Sequence, residues 1–339
     1  MKVLLYSQNN RWLEKSSFTR AFSHIKSALD AAQIDYTLDP NDAFDVVHVN
    51  TTFPKSYNFM RRMQKRGYPV IVHGHSTPND FKNSFAGYKL MAPFFNYNLK
   101  RIYGRADLII TPTPYSKGLI EHIPQVSCPV VAISNGIELD KYAYNDEAVK
   151  AFQKHLHLKG SEKIVISAGL LFVRKGLPDF IEIARSMPGV TFIWFGELTR
   201  SLMSKEIKTA IDSRPANVIM PGYVPSKVIR GGFMKADAFF FPTYEENEGI
   251  VVLEALAAHT PVITRDIPVY EGWLINDKHA IKATGNEAFK QAITRVLSTD
   301  MTTMTEAGYK LAQERSLKEI GKQLEETYQI VLKNHKASH

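Results

Sequence analysis

Short apolar runs alternate with amphipathic stretches along the whole chain. The runs are rich in Val, Ile and Phe, and the stretches between them repeat their apolar positions every three to four residues. This alternation indicates a parallel α/β architecture in which helices follow strands. In the first half we predict strands at Val3–Tyr6, Val46–Val49, Val70–Val72, Leu108–Thr111 and Val130–Ile133. In the second half we predict strands at Ile164–Ala168, Thr191–Phe195, Asn217–Met220, Ala238–Phe241 and Pro261–Thr264.

The two sets of strands indicate two domains. Each set fits a Rossmann-like, doubly wound sheet, and such sheets bind ligands at the carboxyl ends of their strands, so we predict a cleft between the domains. We place the first domain at residues 1–150, the second at 151–315 and a final helical segment at 316–339.

Composition narrows the class of protein. A chain of 339 residues with 44% hydrophobic content can form two domains, each with its own core. The single cysteine, Cys128, excludes a disulfide framework and a multi-cysteine zinc site, and it suits a reducing cytosol. The opening MKVLLY predicts a first strand rather than a signal peptide, and no apolar run approaches the roughly 18 residues of a membrane span.

The net charge of +8 points to an anionic partner. The candidates are nucleic acid, an anionic membrane surface and an anionic substrate. The sequence contains no RNA-binding aromatic motif and no evident nucleic-acid module, so we expect no nucleic-acid partner. A membrane surface or a nucleotide fits the charge better.

The stretch 239–263, FFFPTYEENEGIVVLEALAAHTPVI, predicts a buried strand, an acidic loop, a helix that begins near Gly249, and another strand. The free amides and positive dipole end of a helix N-terminus bind anions, and a glycine lets the backbone approach closely. Glu246 and Glu254, in a Glu-x7-Glu spacing, can accept hydrogen bonds from hydroxyls. Together these features indicate a sugar nucleotide. The alternative is a solvated acidic loop followed by an ordinary helical Glu.

This segment resembles the signature of the retaining glycosyltransferases of family 4, which have the GT-B fold and normally carry E-G-F-G at the loop. In this chain the loop reads Glu246-Asn247-Glu248-Gly249. The resemblance implies that Glu246 and the amides after it hold the donor sugar, that the amides of Gly249 and Ile250 face the diphosphate, and that Glu254 binds the ribose. Since Asn247 and Glu248 replace the family's Gly and Phe, the identity of the sugar stays open.

A second motif follows the first strand of the second domain, between Gly169 and Gly176. A glycine at a strand end permits close backbone approach, and adjacent cations can neutralise a diphosphate leaving group. The family pattern here is G-R-x-x-x-x-K-G. Lys175 matches its Lys, Leu170 stands where its Arg is expected, and Arg174 is the candidate for the missing charge. The alternative is two solvated cations in a loop.

Two histidines end a buried strand in PVIVHGHST, residues 69–77. Imidazole suits a hydrogen bond to a sugar hydroxyl and to developing charge. His75 occupies the place of the family's His near the donor sugar. His73 is the weaker candidate, and its alternative is a satisfied core residue. Because no carboxylate or cysteine lies at ligand spacing, we predict no metal site.

Two further loops contain weaker candidates. The loop after the first strand has Ser16 and Ser17 but no Gly, whereas family members usually have glycines there. These serines either receive a phosphate or acceptor group, or one of them caps the following helix. The stretch 220–225 resembles the family's strand and loop that lie against the nucleotide base, which assigns Tyr223 and Val224 to the donor. Tyr223 either stacks on uracil or packs on protein.

An amphipathic stretch, 85–105, places aromatic and aliphatic side chains along one helical stripe with Lys and Arg between them. Such a helix suits an anionic membrane interface, and the alternative is packing into its own domain. Pro93 is expected to kink or break the helix. The membrane interpretation is favoured by nearby cations, namely Arg61, Arg62, Lys65 and Arg66.

We therefore predict a GT-B glycosyltransferase that moves galactose or glucose from UDP to a glycolipid. It is most similar to bacterial enzymes that act on monoglucosyldiacylglycerol during synthesis of the lipoteichoic acid anchor. The resemblance implies retention of configuration, no cofactor and no metal, with His75, Lys175 and Glu246 at the reaction centre. It also implies that the final helical segment, 316–339, returns to the first domain. The place that it implies for the protein is peripheral and cytoplasmic, on the inner face of the cell membrane.

Three alternatives remain. The first is transfer to a soluble or polyprenyl-linked glycan in capsule or exopolysaccharide synthesis. The second is a catalytically silent GT-B partner that binds glycans. The third, a phosphorylase of similar fold, would need a pyridoxal phosphate lysine, for which no motif is evident.

Overall fold

The computed structural model describes residues 1–8, 17–78 and 88–337. Its contacts divide the chain into two compact units. The first unit combines Met1–Asp80, Lys89–Gly136 and Arg315–His339, and the second is built on Ile137–Glu314. No helix in the described part of the chain is long and apolar enough to cross a membrane.

A parallel sheet forms the centre of the first unit. Its strand order is β2-β1-β3-β4-β5-β6, and each neighbouring pair is parallel. The inner strands are continuous runs of buried residues, as expected for strands that are covered on both faces. The strands are β1 Lys2–Tyr6, β2 Asp35–Thr37, β3 Val46–Val49, β4 Val70–His73, β5 Leu108–Thr111 and β6 Val130–Ala132.

Helices cover both faces of this sheet. On one face Ile25 and Leu324 pack with the strand residues Leu5 and Ile71. On the other face a second cluster contains Phe59, Ile102 and Ile120 together with strand residues such as Val47 and Val72. The helices are α1 Ser17–Ala31, α2 Pro54–Lys65, α3 Tyr88–Tyr103, α4 Pro114–Glu121 and, from the end of the chain, α12 Leu317–Ala337.

Helix α3 runs through Pro93 as one element, so the expected break does not occur. A proline removes one amide donor and crowds the carbonyl four residues earlier. Here that carbonyl belongs to Lys89, an exposed residue in the first turn of the helix. Solvent can therefore replace the lost hydrogen bond, and the helix tolerates the proline.

Helix α12 packs closely against α1. Its buried residues Leu317, Ile320 and Leu324 recur at helical spacing. Gly321 lies at the closest approach, because a Cβ added there would come within 2.3 Å of the Ala28 carbonyl oxygen and 2.7 Å of the Ala32 Cβ. A glycine at this position lets the two helices meet.

The second unit is built on another parallel sheet, with the order β12-β11-β10-β7-β8-β9. Its strands are β7 Ile164–Ala168, β8 Thr191–Phe195, β9 Val218–Gly222, β10 Ala238–Phe241, β11 Val262–Arg265 and β12 Ile281–Ala283. Its helices are α5 Asp146–His155, α6 Leu177–Ser186, α7 Lys205–Asp212, α8 Ser226–Lys235, α9 Ile250–Ala257, α10 Asn286–Ser298 and α11 Thr302–Gln313. The core contains aromatic side chains from strands and helices, among them Phe180, Phe192, Trp194 and Phe240.

The predicted parallel α/β architecture is confirmed, and the predicted strands are all present with shifts of one or two residues at their ends. Two short strands, β2 and β12, were not predicted. Both lie at a sheet edge, where only one neighbouring strand pairs with them. Their sequences, DYT and IKA, are only three residues long, which is too short to produce a hydrophobic pattern.

Substitution of Gly321 by Ala should destabilise the protein. The added methyl group meets the Ala28 carbonyl, so we expect the free energy of unfolding to fall by about 1–3 kcal/mol, as is typical of overpacking. Gly118→Ala is the matched control, because Gly118 is also helical but has nothing within 4 Å of its added Cβ. That control should leave stability unchanged or raise it by up to ~1 kcal/mol. Denaturant unfolding measures both, and equal effects would contradict the close α1–α12 contact.

Candidate active site

Two loops meet at the carboxyl edge of the second sheet, one after β7 and one after β10. Gly176 has φ +77°, and a Cβ added there would lie 2.3 Å from the Pro242 carbonyl oxygen. The amide of Tyr244 donates to the Arg174 carbonyl at 2.7 Å, which ties the loops together. Only glycine permits this approach, and it brings the two motifs of the sequence side by side.

The guanidinium group of Arg174 joins the same two loops. Its Nη1 donates to the Glu245 carbonyl oxygen at 3.0 Å, and its charge lies 5.7 Å from the centre of the Phe172 ring. The arginine is half-buried. In the free protein its positive charge therefore faces a backbone carbonyl, and its part in diphosphate binding stays a prediction.

Lys175 and Glu246 form an ion pair between the loops. The two side chains are largely buried, with exposures of 14% and 9%. The Glu246 carboxylate also lies 3.1 Å from the hydroxyl of Thr243, a residue that the sequence did not single out. The predicted diphosphate ligand and the predicted sugar ligand are thus in direct contact.

Gly169 lies beside Lys175, because the Cδ of that lysine is 3.7 Å from a Cβ added to the glycine. The Gly169 carbonyl accepts from the Trp194 indole at 2.9 Å. A Cβ on Gly196 would lie only 2.0 Å from that carbonyl. The loop after β8 therefore also requires a glycine, and this requirement was not predicted.

The N-terminus of α9 lies at the end of the acidic loop. Gly249 has φ +82° and precedes Ile250, the first helical residue. As the N-cap residue, Gly249 has no side chain with which to cap the first amides of the helix. Its backbone amides and positive dipole end are therefore suited to an anion, as the sequence predicts.

Three carboxylates are buried around this helix start: Glu246, Glu248 and Glu254 are 7%, 3% and 3% exposed. Asn247 is half-buried between the first two. A buried carboxylate has several acceptor positions, and ligand hydroxyls are suitable donors to them. The burial of all three excludes the alternative of a solvated acidic loop.

Sequence reasoning also missed two residues from outside the loop that support it. Arg265, at the end of β11, donates from Nε to the Pro242 carbonyl at 3.1 Å and lies 3.8 Å from the centre of the Tyr244 ring. The hydroxyl of Tyr270 lies 3.3 Å from a Cβ added to Gly249. Burial, and then the nearby charge of Glu246, hold the pKa of Tyr270 well above its usual value. Only the folded chain brings these residues to the loop.

Tyr223 and Val224 follow β9 and differ in exposure. Tyr223 is 63% exposed, so its ring is accessible for stacking on a base. Val224 is buried at 6% exposure, which leaves its side chain in the protein interior. Contact of this segment with a nucleotide base stays a prediction.

In the first unit, His75 is part of a row of three histidines. The rings of His48 and His73 stack with centroids 5.3 Å apart, and those of His73 and His75 stack at 4.0 Å. Burial lowers the pKa of His48 and of His75 to about 3, and it lowers that of His73 well below its usual value. The three rings are therefore neutral at neutral pH. His48 was not predicted, because it lies inside an otherwise apolar strand.

The serine candidates contribute little. Ser16 lies outside the described residues, and Ser17 is the first residue of α1.

Within the described ranges, no group of three or more His, Cys, Asp or Glu side chains could hold a metal ion. At the start of α9 the second unit thus brings together the Lys175 ammonium group, the first helix amides and buried carboxylates, an arrangement able to bind both phosphate and hydroxyl groups.

Comparison with known proteins identifies families for both halves of the chain. The family described as Glycosyltransferase Family 4 matches residues 12–141, and the family described as Glycosyl transferases group 1 matches residues 149–312. The chain is 54% identical to the processive diacylglycerol alpha-glucosyltransferase of Acholeplasma laidlawii, over 98% of this chain and 99% of that one. It is 30% identical to the alpha-galactosylglucosyldiacylglycerol synthase of Streptococcus pneumoniae, over 74% of this chain and 67% of that one.

A solved structure shares the architecture. Alr3699/HepE of Anabaena, crystallised with UDP-glucose, superposes with a TM-score of 0.75 at 16% identity, covering 97% of this chain and 99% of that one. At this identity the likeness shows the fold alone. Together with the family matches and the long similarity to the Acholeplasma enzyme, it identifies this chain as a member of the family 4 glycosyltransferases with the GT-B fold.

Proposed function

We propose that this chain is a retaining hexosyltransferase that moves glucose from UDP-glucose to a diacylglycerol-based lipid acceptor. The observation that carries the proposal is the 54% identity, over nearly the whole of both chains, to a processive diacylglycerol alpha-glucosyltransferase. The buried carboxylates around the start of α9 support it, because a sugar donor needs hydroxyl recognition next to phosphate recognition.

Galactose is the second candidate sugar. It is favoured by the 30% identity to the alpha-galactosylglucosyldiacylglycerol synthase. Glucose and galactose differ only in the orientation of one hydroxyl, and the loop 246–249 departs from the family pattern where it would face the sugar. The higher identity of the glucosyltransferase makes glucose our first choice.

The cationic, anionic and neutral groups of the site have different proposed roles in transfer. Lys175 and the first amides of α9 neutralise the diphosphate as it leaves, which is where negative charge develops. Glu246 and Glu254 accept hydrogen bonds from sugar and ribose hydroxyls, and the neutral imidazole of His75 contacts the sugar near the reacting carbon. UDP-glucose carries an α linkage, so an α-linked product corresponds to net retention.

Transfer is proposed to need no metal and no cofactor. In many phosphate-transferring sites a divalent ion neutralises the diphosphate. Here the Lys175 ammonium group and the amides at the start of α9 can neutralise the same negative charge. Activity that persists in excess EDTA would support this part of the proposal.

The acceptor is proposed to be presented by an anionic membrane surface that contacts α2 and α3. Helix α3 exposes Leu90 at 86% and Phe94 at 57%, with Met91 and Tyr97 also exposed. The guanidinium of Arg101 lies 3.9 Å from the centre of the Tyr57 ring, so the two helices are adjacent. Neither helix contains an acidic residue.

The second half of α3 packs into the first unit, where Leu99 and Ile102 lie in the core, so the alternative of packing into its own domain holds for that half. The apolar stripe that remains exposed consists of Leu90, Met91, Phe94 and Tyr97. Helices α2 and α3 also expose cations, among them Lys89, Lys100, Arg61, Arg62 and Lys65. An apolar stripe bordered by cations matches the interface of a bilayer that contains anionic lipids. We place the enzyme on the inner face of the cell membrane, where UDP-sugars are supplied. Its role in making the lipid anchor of lipoteichoic acid stays a prediction.

A transfer assay tests the proposed function. Purified protein is mixed with UDP-glucose or UDP-galactose and with vesicles that contain diacylglycerol or monoglucosyldiacylglycerol, and released UDP and lipid products are measured. We expect α-glucosylated lipid from UDP-glucose, in EDTA as well as in buffer. UDP binding without lipid product would favour a soluble or polyprenyl-linked acceptor, and no UDP binding would favour a silent partner protein.

Removal of Lys175 or Glu246 should nearly abolish transfer. We expect Lys175→Met and Glu246→Gln each to lower kcat/KM by about a hundredfold or more, the usual effect of losing a group that stabilises developing charge. Lys163→Met is the control, because Lys163 pairs with Asp237 at 3.0 Å elsewhere in the second unit. Circular dichroism checks folding. Wild-type turnover in a folded Lys175 or Glu246 variant would contradict the assigned roles.

Polar substitutions in α3 should weaken membrane binding. Leu90→Ser together with Phe94→Ser removes apolar surface from the stripe, so we expect less protein to sediment with anionic vesicles and less transfer to lipid. Leu38→Ser with Ile330→Ser is the control pair, since both residues are exposed, at 55% and 56%, but lie outside α3. Equal sedimentation of the two double variants would argue that α3 does not face the bilayer.

A further inference from the structure

One ring nitrogen of His73 is buried without a hydrogen-bond partner. The residue ends β4 and is 2% exposed. Its Nδ1 lies 3.2 Å from Nε2 of His48, whereas its own Nε2 has no partner in the described part of the chain. Buried polar atoms are nearly always paired, because an unpaired one loses its hydrogen bonds to water and gains none in the protein. The unpaired nitrogen therefore suggests a ligand that the free protein lacks.

The other side of the row is closed by a tyrosine from the last helix. The hydroxyl of Tyr328, on α12, lies 2.8 Å from Nδ1 of His48. Tyr328 and His48 are both fully buried. A continuous chain thus runs from the Tyr328 hydroxyl through His48 to His73, with its open end at Nε2 of His73.

The protons in this chain can be arranged in two ways. In the first, Tyr328 donates to His48 and His48 donates to His73, which leaves a single unpaired donor, the Nε2–H of His73. In the second, His73 donates to His48 and His48 donates to Tyr328. Then the tyrosine O–H is an unpaired buried donor and the His73 Nε2 is an unpaired buried acceptor. The first arrangement leaves fewer polar groups unsatisfied, so it is favoured.

The charge state of the row is consistent with this arrangement. Burial and mutual repulsion among the histidines lower the pKa of His73 far below neutrality. Burial likewise raises the pKa of Tyr328, so its hydroxyl keeps its proton. The chain therefore consists of neutral groups, each of which both donates and accepts. Its open end is a neutral N–H donor, which suits a neutral oxygen.

We propose that His73, held in its Nε2–H tautomer by His48 and Tyr328, donates a hydrogen bond to a hexose hydroxyl of a bound substrate, directly or through one water. His73 lies at the carboxyl end of β4, the edge of a doubly wound sheet where ligands bind. The nitrogen is covered in the free protein, so the hydrogen bond forms only after the residues that cover it move. This inference rests on the proposed function.

Two substrates contain a hexose that His73 can contact: the sugar donor and the glycosylated lipid acceptor. A hydrogen bond to the donor sugar would affect the KM for UDP-glucose. A hydrogen bond to the acceptor would affect the KM for monoglucosyldiacylglycerol instead. In either case His73 is a binding residue, while His48 and Tyr328 are positioning residues that act through it.

Nitrogen-15 NMR of the histidine rings tests the tautomers in the free protein. We expect both His48 and His73 to carry their proton on Nε2. In Tyr328→Phe the two arrangements leave equal numbers of unpaired groups, so both should be populated. Thr327→Val is the control, since it removes a buried hydroxyl of the same helix that donates to the Gln323 carbonyl of its own helix, at 2.8 Å. An Nδ1–H proton on wild-type His73 would overturn the proposal.

A matched pair of substitutions tests the hydrogen bond. The amide of Gln reaches the position of Nε2, whereas that of Asn reaches only the position of Nδ1. We expect His73→Asn to lower kcat/KM by between about twofold and about tenfold, the effect of losing one hydrogen bond, and His73→Gln to retain most of the activity. The loss should fall mainly in the KM of one substrate. Tyr328→Phe should show a smaller loss in the same parameter, and Thr327→Val none.

Wild-type transfer is measured first, so that two failures are distinguished. Its absence would overturn the proposed function. Normal transfer by a folded His73→Asn variant would overturn the role of His73 while leaving the proposed function intact. Equal losses of activity in the Asn and Gln variants, in proportion to the fall in their melting temperatures, would do the same.

Discussion

The contact between the loops after β7 and β10 positions most of the candidate site. Gly176 brings one backbone against the Pro242 carbonyl, and Lys175 then meets Glu246 in a largely buried ion pair. Burying two charges is costly, and removing one partner leaves the other uncompensated in a poorly hydrated place. Such a pair is weak evidence for stability, but it fixes an ammonium and a carboxylate side by side, where phosphate and hydroxyl groups of one ligand can meet them.

The remaining interactions of the second unit support this contact. Arg265 holds the Pro242 carbonyl and stacks on Tyr244, and Thr243 places a hydroxyl against Glu246. Cations and hydroxyls in the loop thus bond backbone or carboxylate oxygens that would otherwise be unsatisfied. The site is therefore largely preformed, which lowers the cost of ordering it when a substrate binds.

The first unit uses a different chemistry. Its row of histidines is neutral because burial disfavours the charged form, and its order is set by hydrogen bonds rather than by ion pairs. Because the row ends on a tyrosine of α12, the last helix contributes to a polar network at the centre of the first sheet. The return of the chain to the first unit therefore adds a hydrogen bond to His48 as well as apolar packing contacts.

The sequence by itself determined the elements and the local chemistry. Continuous apolar runs predicted the inner strands, because residues buried on both faces leave a local pattern. The acidic loop with Gly249, and the loop with Gly169 and Lys175, were recognisable because their motifs resemble those of the family. The edge strands β2 and β12 left no such pattern. Only the tertiary structure decided which distant residues meet: Arg265 and Tyr270 around the loop, and Tyr328 with His48, which are 280 positions apart. Contacts of that kind depend on sheet order and helix packing, and a single sequence does not encode them as any local period.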